Sequence, residues 1–173
     1  SAATNQQIVE RGRLFVKRPG RMRWDYKQPE KKVFVVQSDG TTLSYVPADY
    51  TAVKSRIPVD APHLKLLLGA SDLLESFVAA QVQLKSPVFP GSRPIKLTPR
   101  KPTEGVEVVY LELDGRQDVL ERVLVVDPLG NESDLVLEKV SEEGALKDDV
   151  FDVQLPPGVA VREYEAFGLH APP

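Results

Sequence analysis

In RMRWDYK, residues 21 to 27, charged and apolar side chains alternate without a break. Met22, Trp24 and Tyr26 fall on one side, and Arg21, Arg23, Asp25 and Lys27 on the other. A period of two is the period of a strand, and a helix would scatter these residues around its whole circumference. The stretch therefore predicts a half-buried strand with one apolar and one solvated face. The upstream RLFVK continues the alternation, with Leu14 and Val16 in the register of the apolar side. Arg18 keeps that parity, which points a guanidinium toward an apolar interior.

The same texture recurs downstream. KVFVVQ leads into SDGT, whose Asp39-Gly40 pair suits a tight hairpin, and LSYV follows. Later runs are VEVVYLELD, VLERVLVVD, SDLVLEKV and FDVQL, separated by the turn signals DGRQD, DPLGN and SEEGA. Short strands joined by hairpin turns predict one large antiparallel sheet, curved or closed. Its concave face is expected to carry Leu14, Val16, Met22, Trp24, Tyr26, Leu43 and Tyr45.

One segment departs from this pattern. APHLKLLLGASDLLESFVAAQ, residues 61 to 81, has apolar residues at helical spacing: Leu64, Leu67 and Leu68, then Leu73, Leu74, Phe77 and Val78. Pro62 suits a first helical turn, Gly69 an end, and Asp72 with Glu75 the cap of a second helix. Two short leucine-rich helices need an apolar surface to cover, and the concave face of the sheet supplies one. The segment SPVFPGSRPIKLTPRKP carries five of the chain's 15 prolines. It predicts a loop with an edge strand around Ile95 to Leu97, because proline cannot serve both sides of a ladder.

Length and composition narrow the remaining choices. The 173 residues suit a single domain with a real core, and 42% hydrophobic with 27% charged residues describes a globular chain. No apolar run approaches the roughly 18 residues of a membrane span. Ser1 opens a polar stretch, as expected if a leader has been removed. With no cysteine, disulfides, thiolate metal sites and lipid-modified cysteines are excluded. Charge is uneven: residues 10 to 32 carry 9 Lys/Arg against 3 Asp/Glu, and residues 103 to 152 carry 15 Asp/Glu against 4 Lys/Arg. Such polarity either orients a charged partner or describes two solvated faces. The basic residues lack a nucleic-acid motif, so no nucleic-acid partner is expected.

Catalytic constellations are missing. His63 and His170 are the only histidines and have no ligand spacing. Neither a phosphate loop nor a nucleophile elbow occurs. DPLGNESD lacks the order of acids and glycine of a calcium loop and reads as a hairpin turn. No metal, cofactor or catalytic residue is predicted, and the chain is not expected to be an enzyme.

GRLFVKRPGRMRWDYKQP, VQSDGTTLSYV, IKLTPRKP, RVLVVDPLGNESDLVLEKV and FDVQLPPGVAV occur in this order. In order and spacing they resemble the LolA family, and the likeness runs from about residue 12 to residue 161. The resemblance implies a mainly β chain with a small helical part: an incompletely closed antiparallel β-barrel, LolA/LolB-like, covered by a helical lid near 61–81. It further implies a periplasmic carrier of Gram-negative bacteria, with no cofactor. Such a carrier takes triacylated lipoproteins from a LolCDE-type inner-membrane ABC transporter to a LolB-type outer-membrane receptor. Family members usually begin with an amphipathic helix and a strand, whereas only SAATNQQIVER precedes the matched region here, so that helix is expected to be missing.

Within this resemblance, the lid would bring Leu64, Leu67, Leu68, Leu73, Leu74 and Phe77 over the cavity. Arg18 stands in the family's KRP element, where an arginine holds the closed form. The resemblance thus implies a latch that ties the lid when the cavity is empty. Alternatives of the same fold are a LolB-type receptor, normally anchored through an N-terminal cysteine, and an envelope sensor of lipid or lipoprotein. A lipid isomerase or hydrolase in a barrel cavity would need an acid–base set that the sequence does not offer.

Overall fold

The computed structural model describes residues 7–56, 73–103, 105–116, 119–141 and 146–164. Contacts divide the chain into two compact units, one built mainly from residues 8–70 and 145–173 and the other from residues 71–144. Each contains one sheet.

The first unit holds β1 (Arg11–Lys17), β2 (Arg21–Gln28), β3 (Lys32–Val36), β4 (Thr41–Val46), β5 (Thr51–Arg56) and β11 (Ala160–Glu163). These form a six-stranded sheet in the order β1-β2-β3-β4-β5-β11. β1 to β5 are a plain antiparallel meander, as consecutive hairpin-joined strands should be. β11 joins the β5 edge in parallel, pairing Val161 with Ala52. FDVQL does not form the strand expected of it: Phe151 closes a 3-10 turn, Asp148–Phe151, and the following residues are irregular.

The second unit holds β6 (Phe77–Gln81), β7 (Arg93–Pro99), β8 (Val108–Leu113), β9 (Leu120–Val126) and β10 (Glu132–Val136). Their order is β10-β9-β8-β7-β6, all antiparallel. One face carries Phe77, Leu97, Val109, Leu111 and Val123, all buried. The DPLGN hairpin turn forms as expected. Asp127 Oδ1 accepts the Leu129 and Asn131 N–H groups, each at 2.8 Å, and Oδ2 accepts Asn131 Nδ2 at 2.7 Å.

Strand pairing gives two sheets, neither of them closed, in a mainly β chain. Two expectations are corrected here. The Ile95–Leu97 region is not an edge, because β7 pairs with β6 on one side and β8 on the other. Its prolines are tolerated because Pro94 lies beyond the last β6 partner, Gln81↔Ile95, and Pro99 is the final residue of the strand. Helical structure stops at Ser76, one turn of it, Leu73–Ser76, lying among the described residues, and Phe77 and Val78 open β6. Sheet pairing with Pro99 and Thr98 overrides the helical spacing of these two residues. Among the described residues no helix is long and apolar enough to cross a membrane, and no helical lid is present.

Candidate functional site

Direct cross-strand partners share a sheet face, so the pairing of the six-stranded sheet assigns every side chain to one of two faces. Leu14 pairs with Trp24, Trp24 with Phe34, Phe34 with Ser44, and Ser44 with Val53. Val16, Met22 and Val36 form the adjoining row, and Tyr26 stands opposite Lys32. The first face is thus apolar across three strands. Met22 and Val36 are fully buried, whereas Leu14, Val16, Trp24, Tyr26 and Phe34 keep part of their surface accessible.

Two aromatic rings pack together on this face. The Trp24 and Tyr26 rings are stacked, with centroids 4.9 Å apart and planes 3° from parallel. Lys32 Nζ lies 4.1 Å from the Tyr26 ring centre and 2.9 Å from Glu10 Oε1. Burial, and then the nearby Glu10 carboxylate, push the Tyr26 hydroxyl up to about 12. It therefore stays neutral at physiological pH, and the ring is an uncharged part of the face.

The opposite face carries a strap at its β1–β3 end, while Phe15, Val33, Leu43 and Tyr45 on it keep part of their surface accessible. Lys17 Nζ donates to the Leu146 carbonyl at 2.7 Å and to Asp148 Oδ1 at 2.6 Å. Arg21 Nη1 lies 2.8 Å from the same carboxylate. Arg23 donates to Asp25 and, at 2.8 Å, to the Val150 carbonyl, while Gln37 donates to the Phe151 carbonyl. Lys17, Arg21 and Arg23 project from one face, so residues 146–151 are strapped along it, with Phe151 buried. The Lys17 hydrogen bond and the Arg21 charge hold the Asp148 carboxyl below its ordinary range. Part of the basic cluster of residues 10 to 32 is therefore neutralised within the chain.

The seven expected cavity residues divide between these faces. Leu14, Val16, Met22, Trp24 and Tyr26 are together on the first face. Leu43 and Tyr45 are on the other, since Leu43 pairs with Val35 and Tyr45 with Val33. A two-residue Asp39-Gly40 loop would have put them beside Phe34. The actual loop has three residues, Ser38, Asp39 and Gly40, closed by Gln37 N–H to the Thr41 carbonyl and Gly40 N–H to the Gln37 carbonyl. Gly40 supplies the positive φ, 81°, that this loop requires. One extra residue inverts every side chain of β4.

Phe34, Val36 and Val53 are the residues of this face that sequence patterning missed. In KVFVV four apolar residues run together and hide the alternation. Only counting through the correct loop length selects Phe34 and Val36. Arg18 is also placed differently. β1 ends at Lys17, and Arg18 stands exposed in the turn to β2. Strand parity ceases to apply once the chain turns.

The lid residues Leu64, Leu67 and Leu68 lie outside the described residues, as do the side chains of Leu73 and Leu74 and both histidines. Phe77 is described and belongs to the buried apolar face of the five-stranded sheet. Among the described residues no group of three or more His, Asp and Glu is placed to hold a metal ion.

A family model described as outer membrane lipoprotein carrier protein LolA matches residues 1–154. The outer-membrane lipoprotein carrier protein of Alkalilimnicola ehrlichii is 31% identical over 153 residues, 88% of this chain and 67% of that protein. An open sheet with one apolar, half-accessible face is what a binder of acyl chains requires, and it accords with both matches. The chain belongs to the LolA family of outer membrane lipoprotein carriers.

Proposed function

We propose that this protein holds the acyl chains of lipoproteins against the apolar face of its six-stranded sheet and carries them through the periplasm. The reading rests on one observation: Leu14, Val16, Trp24, Tyr26 and Phe34 form a continuous apolar face that retains accessible surface. An acyl chain of about 15 methylenes, at roughly 0.8 kcal/mol each, costs on the order of 12 kcal/mol to expose to water. Two or three such chains cannot cross an aqueous space without a protein surface of this kind.

In this reading the cargo comes from an inner-membrane ABC transporter of the LolCDE type and passes to a LolB-type receptor. The leucines at 64, 67, 68, 73 and 74 cover the bound chains. Arg18, exposed on its turn, reaches polar groups of that cover when the protein is empty. The latch then makes no demand for a guanidinium inside the apolar face, and its bonds to the cover are lost when acyl chains enter. Arg18→Leu is the variant that separates the two states: unchanged delivery would remove the latch from the proposal.

The test of the carrier role is native mass spectrometry after the protein is mixed with a triacylated lipoprotein and the detergent is diluted away. A one-to-one complex that is absent with the unacylated polypeptide is expected. Equal binding of the unacylated form would overturn the proposal, because recognition would then reside in the cargo's protein part.

A further inference from the structure

On β1 to β3 the apolar face carries the charged side chain of Lys32, directly opposite Tyr26, and Arg11 stands exposed at its margin opposite Gln28. A surface lysine ordinarily extends into water. This one is folded back over the Tyr26 ring and is only 28% exposed. Its anionic partner is Glu10, which lies outside the sheet in the irregular segment before β1. That segment offers little else to hold it, since Ile8 is 82% and Val9 50% exposed. Partly exposed ion pairs of this kind are weak and readily exchanged.

We propose that Lys32 is a binding site for the anionic headgroup of an acyl-chain amphiphile, a carboxylate or a phosphate, and that Glu10 holds the place when no ligand is bound. The inference rests on the acyl-chain reading of the same face and adds a class of ligand to it: charged lipids besides lipoproteins. The geometry orders the ligand. Its head replaces the Glu10 carboxylate at the ammonium, and its chain runs over Tyr26 and Trp24, which the Glu10 side chain cannot reach past. Exchange of one anion for another keeps Lys32 partnered throughout, so no half-buried charge is stranded. Tyr26 adds the face of its ring beneath the cation.

Trp24 is the only tryptophan of the chain, so its emission reports occupancy of this face directly. The intact protein is titrated at neutral pH with dodecanoate and with dodecanol, which share a chain and differ in the charge of the head. In Lys32→Met, the ratio of dodecanoate to dodecanol affinity is expected to fall about tenfold, as loss of one charge-assisted hydrogen bond predicts. Dodecanol affinity itself should be retained. In Glu10→Gln, dodecanoate should bind several-fold more tightly and dodecanol unchanged, because the internal competitor is gone.

An unchanged ratio in Lys32→Met overturns the headgroup site while leaving the acyl-chain reading intact. Failure of dodecanol to bind the unaltered protein overturns both. Inorganic phosphate, which has charge and no chain, separates a lipid head from a free ion. Displacement of dodecanoate by low phosphate concentrations would make Lys32 an ion site and refute the lipid assignment.

Discussion

Glu112 is completely buried on the second sheet, yet every bond its carboxylate needs is present. It accepts Val88 N–H at 2.9 Å, Ser92 Oγ at 3.0 Å and Arg122 Nη1 at 2.8 Å. Arg122 is held from its other side by Asp134. Burial alone would raise the Glu112 carboxyl, but Arg122, Ser92 and the backbone N–H groups outweigh it and the net shift is downward. Their joint effect is to tie the proline-bearing loop between β6 and β7 onto the sheet. Glu112→Ala leaves the Val88 N–H unmet and is expected to cost roughly 2–3 kcal/mol in urea unfolding. The pH dependence has a definite sign. With its folded value below the ordinary 4.5, Glu112 contributes stability above that pH, and the contribution is lost as pH falls through the folded value. Stability measured between pH 3 and 6 should therefore fall less steeply on the acid side in Glu112→Gln than in the unaltered protein. None of this was legible in VEVVYLELD, where Glu112 looks like any solvated residue of an alternating strand. Its neighbours come from a loop and a different strand, and only pairing in space unites them.

At the level of elements, the sequence told most where local chemistry decides. Alternation in RMRWDYK, the Asp39-Gly40 turn and the DPLGN turn each act through residues within a few positions, and each forms. It told least where a long-range partner decides. Phe77 and Val78 have helical spacing but are claimed by β7, and Ile95 to Leu97 look like an edge but are paired on both sides. Leu43 and Tyr45 stand on the other face because the hairpin loop has three residues and not two, a difference of one residue that alternation alone does not register. The loop supplies its own test. Gly40→Val forces a β-branched residue into a left-handed conformation and should cost about 1–2 kcal/mol, read as a lowered urea midpoint with an unchanged slope. Gly12→Ala tests a close approach instead. Gly12 stands at an irregularity of the β1–β2 ladder, and a Cβ there would meet the Asp25 carbonyl, which is backbone and cannot swing aside. A loss of roughly 2 kcal/mol is expected, read as a lowered urea midpoint.

For the whole molecule, the functional question reduces to which face of the six-stranded sheet is spent on stability and which is kept for a ligand. The face bearing Val35 and Ala52 is tied at its β1–β3 end to residues 146–151, whose Phe151 is buried. Phe151→Ala should cost about 3–4 kcal/mol, as truncation of a buried aromatic does. The Trp24 face has no such strap among the described residues, and its rings keep accessible surface. Two substitutions of equal chemical severity should then have opposite effects. Tyr45→Asp puts a carboxylate on the face that bears the strap, directly between its strand partners Val33 and Ala52. It should lower the thermal midpoint markedly while the surviving folded protein binds dodecanol as before. Trp24→Asp puts the same carboxylate on the face assigned to the ligand, where water can still solvate it. It should change the midpoint of the empty protein far less, yet abolish the stabilisation that saturating ligand confers. That stabilisation is about 2.7 kcal/mol at a hundred times the dissociation constant, large enough to be read as a shift in the melting curve. If Tyr45→Asp abolished the ligand-induced shift and Trp24→Asp kept it, the roles of the two faces would be reversed, and residues 146–151 would be the cover over the cargo. The Tyr45 and Trp24 variants thus decide a question that register alone poses, because strand pairing says which side chains stand together and ligand linkage says what they stand there for.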